Sequence, residues 1–598
     1  MELAHEKLPK WKALSIFSSD AISSVGYGPE QIALVLAVPG LLAYGYFDYV
    51  VLAVLILLAV VTISYVQVAR ANPGGGGSYS VAKHNLGELP ALVAASALFA
   101  DYILTVAVSV SSGTEALVSA FPHLLGMEVA IDLVILFAAL MLINLRGVRE
   151  SSNVFVWPTY FFILGMLAMI GVGVYNALTG AGPLIPSESL VRSQFDSAML
   201  VLFLRAFANG CSSMTGIEAI SNGVPMFKKP EVANAIHTTY WMSGLLGTLL
   251  VGLSFLILHF HLLPQANVTI LSQLAENVFG RGWFYYYIQI TTMLILYLAA
   301  NTSYNGLPPL LSLLAQDKYM PRYLGYRGER LSYSNGIILL SIIAGGLIWI
   351  FNGNVEHLIS LYAIGVFLSF TIAQTGLVVH WRKERGAHWR KRAFVNGFGA
   401  IITGIVVLVI AETKFFYGAW IILVFIPVMV CIFKKIHSHY QDMADQLHLP
   451  MEGPNPFVSP HPHARNHILI TVSGLTNVVA QTIRYAKTIS GDISALYVAT
   501  DQAEADKFLA KWNACEIDVP LVILPSHYRL VIQPILDFIE KMEQEKNPED
   551  YITVLIPEFE TRKWWHRFLH NQTGWVLRTR LILRDDVIVT TIPFHLEK

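Results

Sequence analysis

Long apolar stretches recur along the first 435 residues of the chain, separated by short polar connections. A membrane-spanning helix needs roughly 20 mostly apolar residues, because the hydrocarbon core of a bilayer is about 30 Å thick. The pattern predicts twelve spans, at residues 12–37, 49–70, 90–120, 129–146, 154–178, 198–224, 233–261, 284–315, 335–351, 356–380, 394–412 and 416–434. The chain is therefore predicted to be a polytopic α-helical protein embedded in the lipid bilayer.

Lysine and arginine residues collect in every second connection. They precede span one and follow spans two, four, six, eight, ten and twelve, whereas the alternate connections hold only Arg192, Arg281 and Lys414. Positively charged connections stay on the cytoplasmic side of a membrane. We therefore expect a multi-pass protein of the cell membrane with both termini in the cytoplasm.

The hydrophobic pattern changes after Lys435. The prediction is a transmembrane domain at 1–435, a linker at 436–465 with the proline-rich stretch Leu449–His463, and a cytoplasmic domain at 466–598. In this last domain β-branched runs alternate with helical patterns, which is typical of a parallel sheet with helices on both faces. The predicted strands are His467–Ser473, Ile493–Ala499, Val519–Pro525, Tyr551–Pro557 and Val587–Ile592.

Composition agrees with this reading and excludes other classes. Of the 598 residues, 54% are hydrophobic and 14% are charged, with a formal net charge of −1, which argues against a nucleic acid polymer as partner. The three cysteines have no metal-ligand spacing, and the spans show no pattern of catalytic residues. We therefore expect neither an enzyme nor a covalently bound cofactor.

Two of the predicted spans share an interrupted motif. Span one contains SSDAISSVGYGPEQ (Ser18–Gln31), and its Asp20-Ala-Ile-Ser-Ser is echoed in span six by Glu218-Ala-Ile-Ser-Asn. Both motifs run on into glycine and proline, which interrupt helices, and we expect interrupted helices at Ser18–Gly28 and Asn209–Gly216. Because the two spans cross the membrane in opposite directions, the pattern indicates inverted repeats, and secondary transporters of that build bind substrate at paired broken helices.

Three acids lie deep within the predicted spans, where an ionised side chain is costly and usually functional. They are Asp20, Asp101 and Glu218; Arg205 is an alternative structural partner that would neutralise one of them. Hydroxyl groups accompany the acids at helical spacing, at Thr105 and Ser109 after Asp101 and at Thr215 before Glu218. A single hydroxyl in a membrane helix usually bonds its own backbone, so the acids carry more weight than the hydroxyls.

Carboxylate, hydroxyl and carbonyl oxygens are hard ligands that suit a monovalent cation. We predict a potassium site that involves Asp20, Asp101 and Thr215, with Glu218 carrying a coupled proton, since burial favours protonation of a carboxylate. Tyr27 and Tyr102 are gate candidates, and Tyr362 lies in another span close to the same polar layer. The predicted activity is proton-coupled potassium uptake.

Two other readings stay open on these residues. A proton-coupled amino acid or amine carrier is one; Asp20 would repel the carboxylate of an amino acid, whereas an amine is compatible with it. The other is a membrane receptor or sensor whose apolar body only positions the α/β domain. In that case the buried acids are dispensable and no ion flux follows reconstitution.

The motifs SSDAISSVGYGPEQ, SSMTGIEAISNGVP (Ser212–Pro225) and NPGGGGSYS (Asn72–Ser80) resemble those of KUP-type potassium transporters of the amino acid–polyamine–organocation superfamily. The resemblance implies a LeuT-like fold of inverted five-helix repeats with two further helices, and potassium–proton symport. It also implies a homodimer formed through C-terminal domains similar to universal stress proteins, and inhibition by cyclic di-AMP. The ion-path residues that it implies are Asp20, Tyr27, Asp101, Thr105, Ser109, Thr215, Glu218 and Tyr362.

The α/β domain departs from the stress proteins that bind ATP. Those proteins have a G-x-x-G phosphate loop late in the domain, whereas the stretch after Pro557 reads EFETRKWWHRF here. The weak candidate for nucleotide contact is the loop after the first strand, at the edge where such sheets bind ligands. An ordinary strand–helix turn is the alternative for this loop, which consists of Ser473, Gly474, Leu475 and Thr476.

Overall fold

The computed structural model divides into two compact units after Leu447. Each unit is described by itself. The residues that the structure describes are 7–37, 43–75, 77–146, 151–180, 196–265, 267–325, 333–386, 388–447, 464–499, 501–526, 530–560 and 573–595.

The described part of the first unit is helical. A π-helical turn at Ile135–Met141 continues α7 into α8. The helices are α1 (Lys10–Phe17), α2 (Ser19–Ser23), α3 (Gly28–Ala37), α4 (Phe47–Ala71), α5 (Gly77–Asn85), α6 (Glu88–Ala120), α7 (Glu128–Val134), α8 (Leu142–Arg146), α9 (Ser151–Leu178), α10 (Ser197–Gly210), α11 (Glu218–Asn222), α12 (Glu231–His259), α13 (Ile270–Phe279), α14 (Trp283–Gln316), α15 (Ser334–Ile350), α16 (Val355–Glu384), α17 (Trp389–Thr413) and α18 (Ala419–Gln446).

Within the described residues, ten helical segments are long and apolar enough to cross a membrane. They confirm a polytopic helical membrane protein. The first predicted span is divided among α1, α2 and α3, and the ninth corresponds to the shorter apolar helix α15. The count of twelve spans and the inverted repeats therefore stay predictions.

Helix α6 lies at the centre of the first unit. It packs against α14 and α16, and nearly all of its most apolar stretch is buried. Its small residues, such as Ala94, Ala97 and Ala107, are fully buried and let neighbouring backbones approach closely, as is typical of helix packing in membranes. This packing brings Asp101 of α6 into the interior.

The last helix of the first unit continues past the predicted end of its span. It extends to Gln446, so residues 436–446, predicted as linker, are helical. Beyond Lys435 the segment is mostly polar and exposed, with Asp442 and Asp445 on its surface. The hydropathy signal ends where the apolar residues end, although the backbone hydrogen bonds continue. Most of the remaining predicted linker, at 448–463, lies outside the described residues.

The second unit contains a five-stranded parallel sheet with the order β3-β2-β1-β4-β5. Ile468 of the central strand lies opposite Ile493 on one side and Thr553 on the other. The strands are β1 (Asn466–Val472), β2 (Ile493–Ala499), β3 (Leu521–Pro525), β4 (Tyr551–Glu560) and β5 (Val587–His595). The helices are α19 (Asn477–Ile489), α20 (Gln502–Ala514), α21 (Ile532–Glu545) and α22 (Thr573–Leu581).

Two apolar cores cover the two faces of this sheet. Ile483 and Trp512, from α19 and α20, pack on one face, and Ile539 and Leu581, from α21 and α22, pack on the other. The predicted parallel sheet with helices on both faces is confirmed. Strand β4 continues three residues beyond the predicted end at Pro557.

Candidate functional site

The two motifs that repeat in the sequence form two broken helices. In the first, α2 gives way to a 3₁₀ turn at Ser24–Gly26 before α3 begins. In the second, α10 ends at Gly210, a 3₁₀ turn follows at Cys211–Met214, and Thr215 is extended. The predicted interruptions at 18–28 and 209–216 are confirmed. Such breaks leave backbone groups without helical partners at membrane depth, which is tolerated where protein or a polar cavity satisfies them.

The two breaks lie against each other. The Ser24 hydroxyl donates a hydrogen bond of 2.8 Å to the Ser213 carbonyl, and the Asn209 side-chain amide donates to the Gln31 carbonyl at 3.2 Å. Gly28 is required at this contact, because a Cβ atom there would lie 1.9 Å from the Ser213 hydroxyl. The segments that follow Asp20 and precede Glu218 are thereby held together.

Asp20 packs on the second break at Gly216. Gly216 has a φ of +74°, a conformation that favours glycine, and a Cβ atom at this position would lie 2.6 Å from Asp20 Oδ2 and 2.9 Å from Asp20 Cβ. The predicted interruption in span six ends at Gly216, but the contact with Asp20 was not predicted, because the two residues are far apart along the chain. The glycine lets the Asp20 carboxyl approach the backbone of the other broken helix.

Asp101 and Glu218 bring α6 to the same place. Their carboxyl groups interact directly, and the Thr105 hydroxyl donates to Asp101 Oδ1 at 3.4 Å. The exposed fraction is 5% for Asp20, 2% for Asp101 and 3% for Glu218. Ser109 is buried eight residues after Asp101 on α6. The structure thus brings the three predicted acids into one buried region.

Within the described ranges, none of these three acids forms an ion pair with lysine or arginine. Arg205, the alternative structural partner, stacks instead on the Tyr417 ring, with its guanidinium carbon 4.2 Å from the ring centroid. Among the residues that the structure describes, the acids therefore lack the basic partner that would make them a purely structural network.

Two tyrosines border the break in span six. The Tyr362 hydroxyl donates to the Ser212 carbonyl at 3.1 Å, and the Tyr27 hydroxyl lies beside Tyr362 and Thr215. The structure places these two predicted path residues together with Thr215. Both tyrosines are also close enough to Asp20 to interact with it electrostatically.

Tyr102, the other gate candidate, points to a different contact. Its hydroxyl accepts a hydrogen bond of 2.9 Å from the Asn222 side-chain amide, and its ring packs on Gly306. Asn222 in turn packs on Gly77 of the glycine-rich loop. Asn222 was missed by sequence analysis, because a contact between residues 120 positions apart leaves no local pattern.

Several buried oxygens of the broken helices and of α6 have no hydrogen-bond partner among the described residues. Buried polar atoms in folded proteins nearly always have a partner, so each exception needs an explanation. These atoms are Ser18 Oγ, Asp20 Oδ1, Ser112 Oγ, Ser212 Oγ, Ser213 Oγ, Thr215 Oγ1 and Glu218 Oε2. No group of three or more His, Cys, Asp or Glu side chains in the described ranges is arranged as a metal site, so a cation here would need hydroxyl and carbonyl oxygens as well.

The nucleotide candidate in the second unit is a short exposed loop. Thr476 Oγ1 accepts a hydrogen bond from the Val479 backbone N–H at 3.4 Å and caps α19. The loop follows β1, which has β2 on one side and β4 on the other, so it borders the point where strand order reverses and parallel sheets bind ligands. Residues 561–572, which include most of the stretch EFETRKWWHRF that differs from the phosphate loop of ATP-binding stress proteins, lie outside the described residues.

A polytopic helical bundle whose buried acids lie at two apposed broken helices defines a membrane transporter, and comparisons with known proteins agree. Residues 8–433 match the amino acid permease family, and residues 464–594 match the C-terminal domain of the KimA potassium transporter.

Two curated relatives extend this match. Potassium transporter KimA of Bacillus subtilis is 41% identical over 594 residues, covering 99% of this chain and 96% of that protein. The probable potassium transport system protein Kup of Levilactobacillus brevis is 24% identical over 426 residues, covering 67% of this chain and 61% of that protein. The chain belongs to the KimA family. This family is one of permeases, which confirms the predicted resemblance and the expectation that the chain is not an enzyme.

Proposed function

We propose that this protein takes up potassium by symport with protons across the cell membrane, through a site between the two broken helices. The names of both relatives, which are potassium transporters, support the substrate. The proposal includes twelve spans, two inverted five-helix repeats and cytoplasmic termini.

One observation favours a cation most strongly. Within the described ranges, seven buried oxygens of the broken helices and α6 have no hydrogen-bond partner, two of them on Asp20 and Glu218, and none of the three acids has a basic ion-pair partner. Ionised carboxylates without a partner at membrane depth are costly. A cation bound by Asp20 and Asp101 removes this cost, because it neutralises their charge and is coordinated by their oxygen atoms. Asp20, Asp101 and Thr215 would hold the potassium ion.

Glu218 is the proposed proton carrier. Glu218 interacts with Asp101, and its Oε2 atom has no hydrogen-bond partner in the described part of the chain. A proton on either carboxyl group allows a hydrogen bond between the two, whereas two ionised groups repel each other. Loss of that proton would drive the two groups apart, and this change in the geometry of the site is the proposed link between proton loss and release of the ion. Thr105, Ser109, Tyr27 and Tyr362 line the proposed path, and Tyr27 and Tyr102 act as its gates.

Rubidium uptake into proteoliposomes tests the substrate and the site. We expect Asp20→Asn to reduce uptake at least tenfold, and Asp442→Asn, an exposed acid on the polar end of α18, to leave it unchanged. Normal uptake by Asp20→Asn would contradict the site. Inhibition of rubidium uptake by excess amine, but not by excess potassium, would favour the amine carrier. Absence of flux through the wild-type protein would favour a sensor.

A separate variant tests the proposed role of Glu218 as the proton carrier. Glu218→Gln keeps the size of the side chain but cannot release a proton. We expect residual rubidium uptake that no longer responds to a pH gradient. Transport by this variant with coupling intact would show that Glu218 is not the proton carrier.

The second unit is the proposed regulatory domain, similar to universal stress proteins, which binds cyclic di-AMP and forms the homodimer. Exposed apolar side chains on and after α22, Trp575, Ile582 and Leu583, support a protein contact there. The loop at 473–476 is the proposed nucleotide contact.

Two glycines provide a matched test of nucleotide binding. At Gly474, after β1, and at Gly491, before β2, an added Cβ atom would meet no atom of the described residues within 4 Å. We expect Gly474→Arg to weaken inhibition by cyclic di-AMP and Gly491→Arg, at the opposite edge of the sheet, to preserve it. Equal inhibition of both variants would place the nucleotide elsewhere.

A further inference from the structure

Asp132 is a buried acid outside the candidate ion site. It lies in α7 and is 0% exposed. The Ser111 hydroxyl of α6 donates a hydrogen bond of 2.9 Å to Asp132 Oδ2. Among the described residues, the other carboxyl oxygen, Oδ1, has no hydrogen-bond partner, and no lysine or arginine lies within 4 Å of this carboxyl group. A buried polar atom without a partner needs an explanation.

The contact with Asp132 lies on a different side of α6 from the ion site. An α-helix turns by about 100° per residue, so Ser109 lies about 80° around the helix from Asp101. Ser111 is rotated from Asp101 by about 80° in the opposite sense, and Thr114 by about 140° in that sense. Ser111 also lies about 15 Å further along the helix than Asp101. The surroundings of Asp132 are therefore separate from the proposed ion path.

Three hydroxyl groups lie near the Asp132 carboxyl group. Besides Ser111, the Thr114 hydroxyl lies beside the carboxyl and forms a hydrogen bond of 3.0 Å with the Tyr297 hydroxyl of α14. Tyr297 is itself close enough to Asp132 to interact with it electrostatically. All three hydroxyl residues are buried. A hydroxyl group that donates its proton keeps lone pairs, and these lone pairs are available to a cation.

Two glycines allow this close packing. Gly353, between α15 and α16, has a φ of +67°, and a Cβ atom there would lie 3.2 Å from Asp132 Oδ2. On α6, a Cβ atom at Gly113 would lie 2.6 Å from Cε1 of the Tyr297 ring. The carboxyl group and the tyrosine ring are thus both positioned by neighbouring backbone that carries no side chain.

The charge around Asp132 favours a cation. Glu128, at the start of α7, and Glu115 of α6 are both close enough to interact with Asp132 electrostatically. A buried carboxylate that has only hydroxyl donors is costly. A structural hydrogen bond with Ser111 is the alternative role for Asp132, but it leaves Oδ1 without a partner. A cation that contacts Oδ1 would balance the charge and use this oxygen as a ligand.

We propose that Asp132 binds a monovalent metal cation, sodium or potassium, in a site separate from the transport path. Ser111, Thr114 and Tyr297 supply hydroxyl ligands. Carboxylate and hydroxyl oxygens suit hard cations, and the site lacks the several carboxylate ligands that are typical of calcium sites. The ion would join α6, α7 and α14. This inference goes beyond the proposed function, since it does not depend on which ion is transported.

The test measures the thermal melting temperature of the full-length protein in detergent. Potassium chloride or sodium chloride replaces N-methyl-D-glucamine chloride at constant ionic strength. The background variant is Asp20→Asn, which weakens the central site. We expect at least one of the two metal ions to raise its melting temperature by about 2 °C or more, and the ion with the lower half-saturating concentration is the ligand. Adding Asp132→Asn should abolish the rise, and adding Asp442→Asn, at an exposed position, should preserve it.

An equal rise with and without Asp132→Asn would overturn the inference, and so would the absence of a rise in the background variant. Thr114→Val decides the question if Asp132→Asn does not fold. In the same background, an increase of about fivefold or more in the half-saturating ion concentration would support the site, and an unchanged concentration would overturn it. Melting temperatures are read without transport, so absence of rubidium uptake by the wild-type protein would reject the proposed function alone.

Discussion

Replacing Gly216 with alanine tests whether the close contact between the two broken helices is needed for transport. The backbone at Gly216 has a φ of +74°, which costs an L-residue roughly 1–2 kcal/mol. The new Cβ would also lie 2.6 Å from Asp20 Oδ2 and 2.9 Å from Asp20 Cγ. Overpacking of this kind costs about 1–3 kcal/mol. If the two breaks keep their present contact, the substitution therefore destabilises the protein by roughly 2–5 kcal/mol in total.

Relief of this strain requires Asp20 or the second break to shift. We therefore expect Gly216→Ala to reduce initial rubidium uptake at least tenfold and to lower the thermal melting temperature in detergent. Gly244→Ala is the matched control, because Gly244 lies in α12 at a position where an added Cβ atom meets no atom of the residues described within 4 Å. Uptake and melting temperature of Gly216→Ala equal to those of the control would refute the requirement for this contact.

Two further predictions concern other parts of the chain. Tyr102→Phe removes the acceptor of the 2.9 Å hydrogen bond from Asn222, so we expect faster passive rubidium efflux; unchanged efflux would argue against a gate. In the second unit, the Arg465 backbone N–H donates a hydrogen bond of 2.8 Å to Asp550 Oδ1, and this bond holds the pKa of the Asp550 carboxyl group below its usual value. Because the pKa of Asp550 is lower in the folded state, its ionisation stabilises the fold above the pKa of the unfolded chain, and this stabilisation is lost as the pH falls. Asp550→Asn should therefore lower the melting temperature at pH 7, and the difference from the wild-type protein should narrow below about pH 4. A difference in melting temperature that is the same at pH 7 and below about pH 4 would refute this role of Asp550.

The broken helices were predictable because their signals are local. Glycine and proline interrupt an apolar run within a few residues of an acid, and the motif at Asp20 has an echo at Glu218. The strands of the second unit were predictable for a similar reason, since short β-branched runs alternate with amphipathic helices. Local patterns therefore gave the elements and the acids.

Contacts between distant residues were not predictable from these patterns. The approach of Asp20 to Gly216 and the bond between Tyr102 and Asn222 depend on how whole helices pack. Lys414 illustrates the same limit: it stands in a short connection, where lysine is ordinarily solvated, yet its side chain turns into the protein. Only the packing of α16 and α17 decides which environment it meets.

The most direct test of potassium–proton symport is a simultaneous recording of rubidium uptake and internal pH in proteoliposomes that contain the wild-type protein. With the outside more acidic than the inside, the account predicts rubidium accumulation above its equilibrium level, acidification of the interior that starts when rubidium is added, and loss of both with a protonophore. Rubidium uptake that is equal with and without the pH gradient, and that brings no acidification, would contradict it.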